Sequence, residues 1–405
     1  SPVVAPSSFA DAFGLAGTAI AVVPAGGPDR RERVVFSGGA RPAYFVYDPT
    51  SRSFAAPGAL FVVRAHHAAV ALDDHRVLMA GGCGELEGDG VCTPGSLRLD
   101  TYVLDLDQGD VRRGPNLALP RVGATAMLEP DGHVVLIGGV DAAGDAVLSA
   151  ERLDPEVEGV DGGPGGVLIA DTAGSAVRLA AGGLLAGFAP AGATARSAAT
   201  VLPPAAAAAS DAVAGVVEAR AGATLVALED GSVLIVGGIG DPGAEVAEAA
   251  VYSAYLGGVR DLAAAPGGAA DRRVGAAAVR LPDGTALIVG GRADGGDLDG
   301  EAWLFRPELT GPFTGAVPIT PGIDDQDQEL VPLDPQAARR EAGVYVIGAQ
   351  RAATSGVPLD WAVVAGPELV DLSFDLTVAA TDALALLQAF TRPGDFLSVA
   401  LAPGA

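Results

Sequence analysis

Apolar residues gather along this chain in short runs that start at a polar turn and stop at a pair of glycines. ERVVFSGG (32–39), DDHRVLMAGG (73–82), EPDGHVVLIGG (129–139), LEDGSVLIVGG (228–238) and LPDGTALIVGG (281–291) carry the pattern most clearly. The glycine pairs begin at Gly38, Gly81, Gly138, Gly237 and Gly290, with gaps of 43, 57, 99 and 53 residues. The longest gap is about two of the others, so the period is about 50 residues, that of a four-stranded propeller blade.

A second fixed distance runs through the same units. Arg64, Arg121, Arg220 and Arg273 each stand 17 residues before their glycine pair. Each arginine leads into a short Ala/Val/Leu-rich strand, then a tight turn (Pro-Asp-Gly, Glu-Asp-Gly or Asp-Asp-His), then the apolar strand that ends at the glycines. This predicts an antiparallel hairpin per unit. A third strand is expected beyond each pair, as in AYFVYDP (43–49), TYVLDLD (101–107), SAERLDP (149–155), AAVYSAY (249–255) and EAWLFRP (301–307), with a weaker fourth. Three of these end at Pro, which cannot continue a ladder. Gly-Gly suits a point where backbones crowd, since a residue without Cβ permits close approach. The recurrent arginine, with five donors, suits bonds to backbone carbonyls of the adjacent blade.

The glycine pairs, the Asp-Gly turns and the late Tyr47, Tyr102, Tyr252 or Trp303 together resemble the kelch repeat, in the form found in secreted bacterial propellers. The resemblance covers residues 15–318 and implies an all-β fold, a kelch-like β-propeller. Six blades, starting near 15, 62, 119, 165, 219 and 271, fit best, with 160–190 as a decayed unit and LPPAAAAASDAVAG (202–215) as a loop insertion. A seventh would require REAGVYVIGAQ (340–350), which lacks the Arg frame and the second glycine. Residues 1–14 read as a leader and the polar, Pro-containing 319–339 as a linker. Residues 340–405 read as a small C-terminal β-module, short for a complete domain. Within it LLQAFTRPGDFLSVALAPG (386–404) resembles one hairpin of a laminin-G or concanavalin-like sandwich. The unpaired edges of such a module suit attachment or self-association.

Composition narrows the function classes. Twenty-five Lys/Arg against 50 Asp/Glu give a formal net charge of −25. So acidic a surface repels nucleic-acid phosphates and anionic lipid. No apolar run is long enough to be a transmembrane segment. The two cysteines, Cys83 and Cys92, bound one Gly- and acid-rich loop, and a disulfide between them is the expectation, with two free thiols as the alternative. No CxxC and no His cluster accompany them, which argues against zinc. A disulfide implies an oxidising compartment, hence an extracellular or outer-surface location.

Catalytic chemistry finds little support at this level. Galactose-oxidase-like propellers need two His and two Tyr around copper, one Tyr being linked to a Cys. The histidines here are His66, His67, His75 and His133, and His75 and His133 fall at hairpin turns, where they are expected to face solvent. No Ser-His-Asp set or G-x-S-x-G elbow is present. Asp294, Asp297 and Asp299 in an acidic loop are candidate calcium ligands, with plain solvated carboxylates as the competing reading; no other cofactor is expected. The expectation is therefore a non-enzymatic extracellular binding or structural assembly protein, presenting propeller loops to a protein or surface glycan. The alternative is a carbohydrate-active enzyme or glycan-binding module with a loop-borne site.

Overall fold

The hairpins expected from the sequence are present in the backbone. The computed structural model describes residues 17–158 with breaks at 27–30, 49, 52 and 88–90, and beyond them the strands given below with some flanking residues. Every described element is a strand. In chain order they are β1 (Thr18–Val23), β2 (Arg33–Gly38), β3 (Ala43–Asp48), β4 (Ser53–Phe54), β5 (Gly58–Ala59), β6 (Ala68–Ala71), β7 (Arg76–Ala80), β8 (Thr101–Asp105) and β9 (Asp110–Arg113). Then come β10 (Thr125–Leu128), β11 (Val134–Ile137), β12 (Ala150–Leu153), β13 (Val167–Ile169), β14 (Ser175–Arg178), β15 (Leu184–Gly187) and β16 (Ala199–Leu202). These are followed by β17 (Arg220–Ala221), β18 (Thr224–Ala227), β19 (Val233–Val236), β20 (Ile239–Gly240), β21 (Ala250–Ser253), β22 (Gly258–Asp261), β23 (Ala277–Arg280) and β24 (Ala286–Val289). The last are β25 (Glu301–Phe305), β26 (Phe313–Pro318), β27 (Leu330–Arg340), β28 (Gly343–Ala352), β29 (Pro358–Ala365), β30 (Val370–Asp371), β31 (Leu384–Gln388) and β32 (Ser398–Ala402).

Among the described residues these strands form seven antiparallel sheets of three to five strands: β1–β5, β6–β9, β10–β13, β14–β16, β18–β22 without β20, β23–β26 and β27–β30. Two-stranded ladders join β17 to β20 and β31 to β32. β27 runs through the second half of the stretch read as a linker. The first strands meet in succession. β1 touches β6, β6 touches β10, β10 touches β14, β14 touches β18, β18 touches β23, and β27 touches both β23 and β1.

Alternation along the strands decides which sheets each residue joins. In β7, Leu78 and Ala80 pack with Val103 of β8 against Val134, Leu136 and Leu153 of the third sheet. Their neighbours Val77 and Met79, with Tyr102 and Leu104, pack against Ala21, Val23, Val35 and Tyr44 of the first. Both faces are therefore buried, and the strands read as continuous apolar runs. Each such side chain contributes about 1.5–3 kcal/mol when fully buried.

The glycine pairs have a sharper role than close approach alone. Gly81 and Gly82 have φ of 70° and 80°, and Gly38 and Gly39 have 74° and 86°. Two successive left-handed residues end the second strand and swing the chain outward, and a side chain is disfavoured there. A Cβ on Gly81 would also lie 2.6 Å from the Arg121 carbonyl oxygen. His66 is the one non-glycine among the described residues with positive φ, at 51°. It occupies the position two after the repeat arginine, where Gly123 and Gly222 stand in later units.

No helix of the described residues is long and apolar enough to cross a membrane. The leader (1–14) lies outside the described residues, as do Asp294, Asp297, Asp299, Arg273 and Gly290.

Candidate functional site

The two ends of each hairpin carry different chemistry. At the Gly-Gly end Arg64 and Arg121 are interior groups. Arg64, 1% exposed, donates from Nη1 to the Gly81 carbonyl of its own sheet, and its Nη2 lies 2.9 Å from Asp100 Oδ1. Its guanidinium carbon sits 5.2 Å from the Tyr102 ring centroid. Burial lowers the Arg64 pKa, a change that Asp100 opposes. For Asp100, burial acts to raise the pKa, but Arg64 and the Tyr102 hydroxyl outweigh it and hold it below the usual carboxylate range.

Arg121 repeats the arrangement with a different partner. It donates to the carbonyls of Gly138 (3.2 Å) and Ser149 (2.6 Å) and to Glu151 Oε1 (2.7 Å). Arg121 and Glu151 are both fully buried. Glu151 also accepts the backbone N–H groups of Ala118 and Leu119, at 2.7 and 3.0 Å. The arginine backbones complete the joint: Gly39 N–H donates to Arg64 O at 2.9 Å, and Gly82 N–H to Arg121 O at 2.8 Å. The side chain thus bonds its own sheet, and the main chain bonds the preceding one. Gly138 and Gly237 share the left-handed backbone, with φ of 72° and 65°. Arg220 is placed in β17; its side chain is outside the described residues.

Cys83 and Cys92 form a disulfide with a Cα–Cα distance of 5.8 Å. Next to this end lies a buried His67, whose Nε2 is 2.9 Å from Ser37 Oγ of the first sheet. Burial, then Arg64 and His66, push its pKa well below the usual histidine value.

The turn end holds the candidate site. Between β6 and β7, Asp73 Oδ1 accepts the N–H groups of His75 (3.0 Å) and Arg76 (2.7 Å), so Asp73 builds the turn. Arg76 Nε donates to Asp73 Oδ2 at 2.7 Å. Burial acts to raise the Asp73 pKa, but the His75 N–H and Arg76 outweigh it and the carboxyl titrates below its ordinary range. His75 Nδ1 lies 2.7 Å from Asp74 Oδ1 and 3.1 Å from Asp73 Oδ1. The three residues are half-buried and offer ligand atoms within 4.8 Å of one another, a set able to chelate a divalent ion. Sequence reasoning placed His75 in solvent and missed this cluster. The signal was present in Asp-Asp-His, which replaces the x-Asp-Gly of the other turns.

A polar cavity of about 570 Å³ opens beside this turn, lined by His75, Arg76, Asp105, Asp110, Arg112 and Glu156 among others. Register explains it. Arg76, Asp105 and Asp110 stand opposite one another across β7, β8 and β9, and Val103 faces Arg112. They share the face that packs on the third sheet. The cavity is therefore the mouth of the crevice between those two sheets, where apolar packing gives way to charge. Arg76 Nη1 is 2.6 Å from Glu156 Oε1, and Arg112 Nη2 donates to Pro155 O at 2.8 Å.

No protein-family model matches this chain, and no curated protein matches it. Among solved structures it is similar to a fungal alcohol oxidase of the AA5 family in complex with copper, at 18% identity and a TM-score of 0.57, over 86% of this chain and 73% of that one. It is also similar to YjhT, at 12% identity and a TM-score of 0.49, over 86% and 93%. The first of these likenesses, with the all-strand architecture, makes the fold all-β and propeller- or sandwich-like.

These findings correct the expectation of a non-enzymatic binding or assembly protein. The fold is like that of an alcohol oxidase solved in complex with copper, and Asp73, Asp74 and His75 bring ligand atoms within 4.8 Å of one another, a set able to hold a metal ion. Enzymatic activity is at least as well supported as its absence. The copper centre itself does not fit the described residues: both cysteines are consumed by the disulfide, leaving none to link to a tyrosine, and His67 is turned to Ser37.

Proposed function

We propose that the chain is a carbohydrate-active enzyme built on a seven-bladed propeller ring, with its site in the cleft at the turn end of the second and third sheets. The seven-bladed reading, in place of six, is supported by the succession of first-strand contacts, in which β27 meets both β23 and β1. The sheet β27–β30 is then the last blade, rather than a separate module after residue 340. The Cys83–Cys92 bridge supports an exported, extracellular protein.

The observation that carries the enzymatic reading is the convergence of Asp73, Asp74 and His75 beside a cavity with acidic and basic walls. One imidazole and two carboxylates suit Mn²⁺ or Zn²⁺ better than Ca²⁺, which prefers an all-oxygen shell. A cation there would polarise a bound hydroxyl or water. Asp105, Asp110 and Glu158 offer acceptors to a polyol, and Arg76, Arg112 and Gln108 offer donors. Carboxylates on opposing walls suit proton transfer at a glycosidic bond.

Calorimetric titration with Mn²⁺, Zn²⁺ and Ca²⁺ tests the cation, and reducing-end release from an oligosaccharide panel, with and without chelator, tests the activity. One tight transition-metal site, lost in His75→Ala, and chelator-sensitive turnover are expected. Absence of both binding and turnover in the unaltered protein would overturn the reading.

A further inference from the structure

Glu156 follows β12 and reaches across the crevice into the second sheet. Its Oε1 lies 2.6 Å from Arg76 Nη1 and its Oε2 3.6 Å from Arg112 Nη2. One carboxylate thus bridges two guanidinium groups inside the cavity. Glu156 itself is 61% exposed, whereas Arg76 and Arg112 are 27% and 31% exposed. Each arginine has a second partner besides the glutamate. Arg76 is tied to Asp73, and Arg112 to the Pro155 carbonyl. Arg112 Nη1 is buried and has no hydrogen-bond acceptor among the described residues. The site therefore holds a pair of cations anchored by other partners and one exposed internal anion.

An exposed glutamate at a surface ion pair contributes little stability, because its attraction is screened by solvent. Guanidinium pairs are well suited to a ligand carboxylate, since the planar fork matches both oxygens. The cavity has room for a sugar ring beside the pair. We propose that the Arg76–Arg112 pair is a carboxylate subsite that takes the acid group of a uronic-acid sugar, with Glu156 occupying it as a tethered competitor until substrate displaces it. This rests on the turn-end cleft being the substrate site. It adds the substrate class: acidic rather than neutral saccharides. A tethered competitor acts at an effective concentration of about millimolar, so its removal increases ligand affinity.

The test is calorimetric titration of the full chain with D-glucuronate and with D-glucose at low ionic strength. Glu156→Gln is expected to bind glucuronate at least tenfold more tightly than the unaltered protein and to leave glucose binding unchanged. Adding Arg112→Gln to that variant is expected to abolish the gain. Glu156→Ala serves as a second variant, and both are checked for an unchanged melting temperature. Glucuronate affinity unmoved by either substitution, or glucose bound by Glu156→Gln as tightly as glucuronate, overturns the proposal. Cation binding at Asp73, Asp74 and His75 is measured on the same proteins. Its loss alone would sink the metal-assisted reading and leave the carboxylate subsite standing.

Discussion

The seam between neighbouring sheets is closed by arginine at both of its ends, in opposite ways. At the Gly-Gly end Arg121 and Glu151 are wholly buried; their side chains bond each other and nearby backbone, and the Arg121 carbonyl accepts Gly82 N–H of the preceding sheet. At the turn end Arg33 reaches Asp107 and the Asp74 carbonyl, and Arg76 and Arg112 reach Glu156, all with substantial exposure. The first arrangement is costly to assemble and costly to damage, since a buried charge left without its partner has nowhere to be solvated. The second is cheap and exchangeable. One end is therefore a fixed joint, and the other is a surface on which charge can be reused for binding.

Breaking the buried joint should have the largest effect. Glu151→Ala leaves Arg121 interior and unpaired and uncaps Ala118 and Leu119. A loss of about 3–5 kcal/mol is expected, measured by urea denaturation, and a loss below about 1 kcal/mol would mean that the pair is not truly dry. Gly81→Ala forces a side chain into a left-handed backbone, costing about 1–2 kcal/mol, with a further cost from the approach to the Arg121 carbonyl. A drop in melting temperature is expected, whereas an unchanged one would place the joint elsewhere.

As pH falls, acid should act on the Gly-Gly end first, through His67, before the carboxylates titrate. His67 titrates well below its ordinary value in the fold, beside Arg64 and His66. As pH falls below about 6.5, the unfolded chain takes up a proton that the folded chain refuses. Stability then falls by about 1.4 kcal/mol per pH unit until the folded value is reached. Above that window His67 contributes no slope. The comparison is between pH-dependent melts of the unaltered protein and of His67→Asn, which should show the shallower acid limb. Replacing His66 by Gly should raise stability by up to about 1 kcal/mol through relief of its positive φ, read as a small upward shift in melting temperature. The smallest effect is expected at the turn end, where Glu156→Gln should change stability by less than about 0.5 kcal/mol. A larger loss there would erase the contrast between the two ends.

What the sequence revealed follows the same division. Gly38, Gly81, Gly138 and Gly237 were legible because a left-handed backbone leaves glycine as the favoured choice. The spacing of 17 was legible because a hairpin of two short strands and a tight turn has a nearly fixed length. The arginines' partners were not legible. Asp100 precedes β8, while Glu151 lies inside β12, where Tyr102 stands in the earlier sheet. The loop between second and third strands varies in length, so no constant offset links arginine to carboxylate. The turn-end cleft was hidden for another reason. Glu156 meets Arg76 and Arg112 only through the packing of one sheet on the next, and in an acidic chain these charges look like ordinary surface. The first-strand contacts that bring β27 against β1 join residues some 300 apart and leave no local pattern.

The joint at the Gly-Gly end also sets where this chain can accept foreign sequence. Arg64 and Gly81 belong to one hairpin, and so do Arg121 and Gly138. Each repeat therefore carries both halves of its connection, and a whole extra copy would find a matching neighbour on either side. The segment between Cys83 and Cys92 is closed on itself by the disulfide. It is a natural port for grafting: a peptide epitope or a small domain spliced there would be displayed on a clamped stem, while the sheets beneath keep their register.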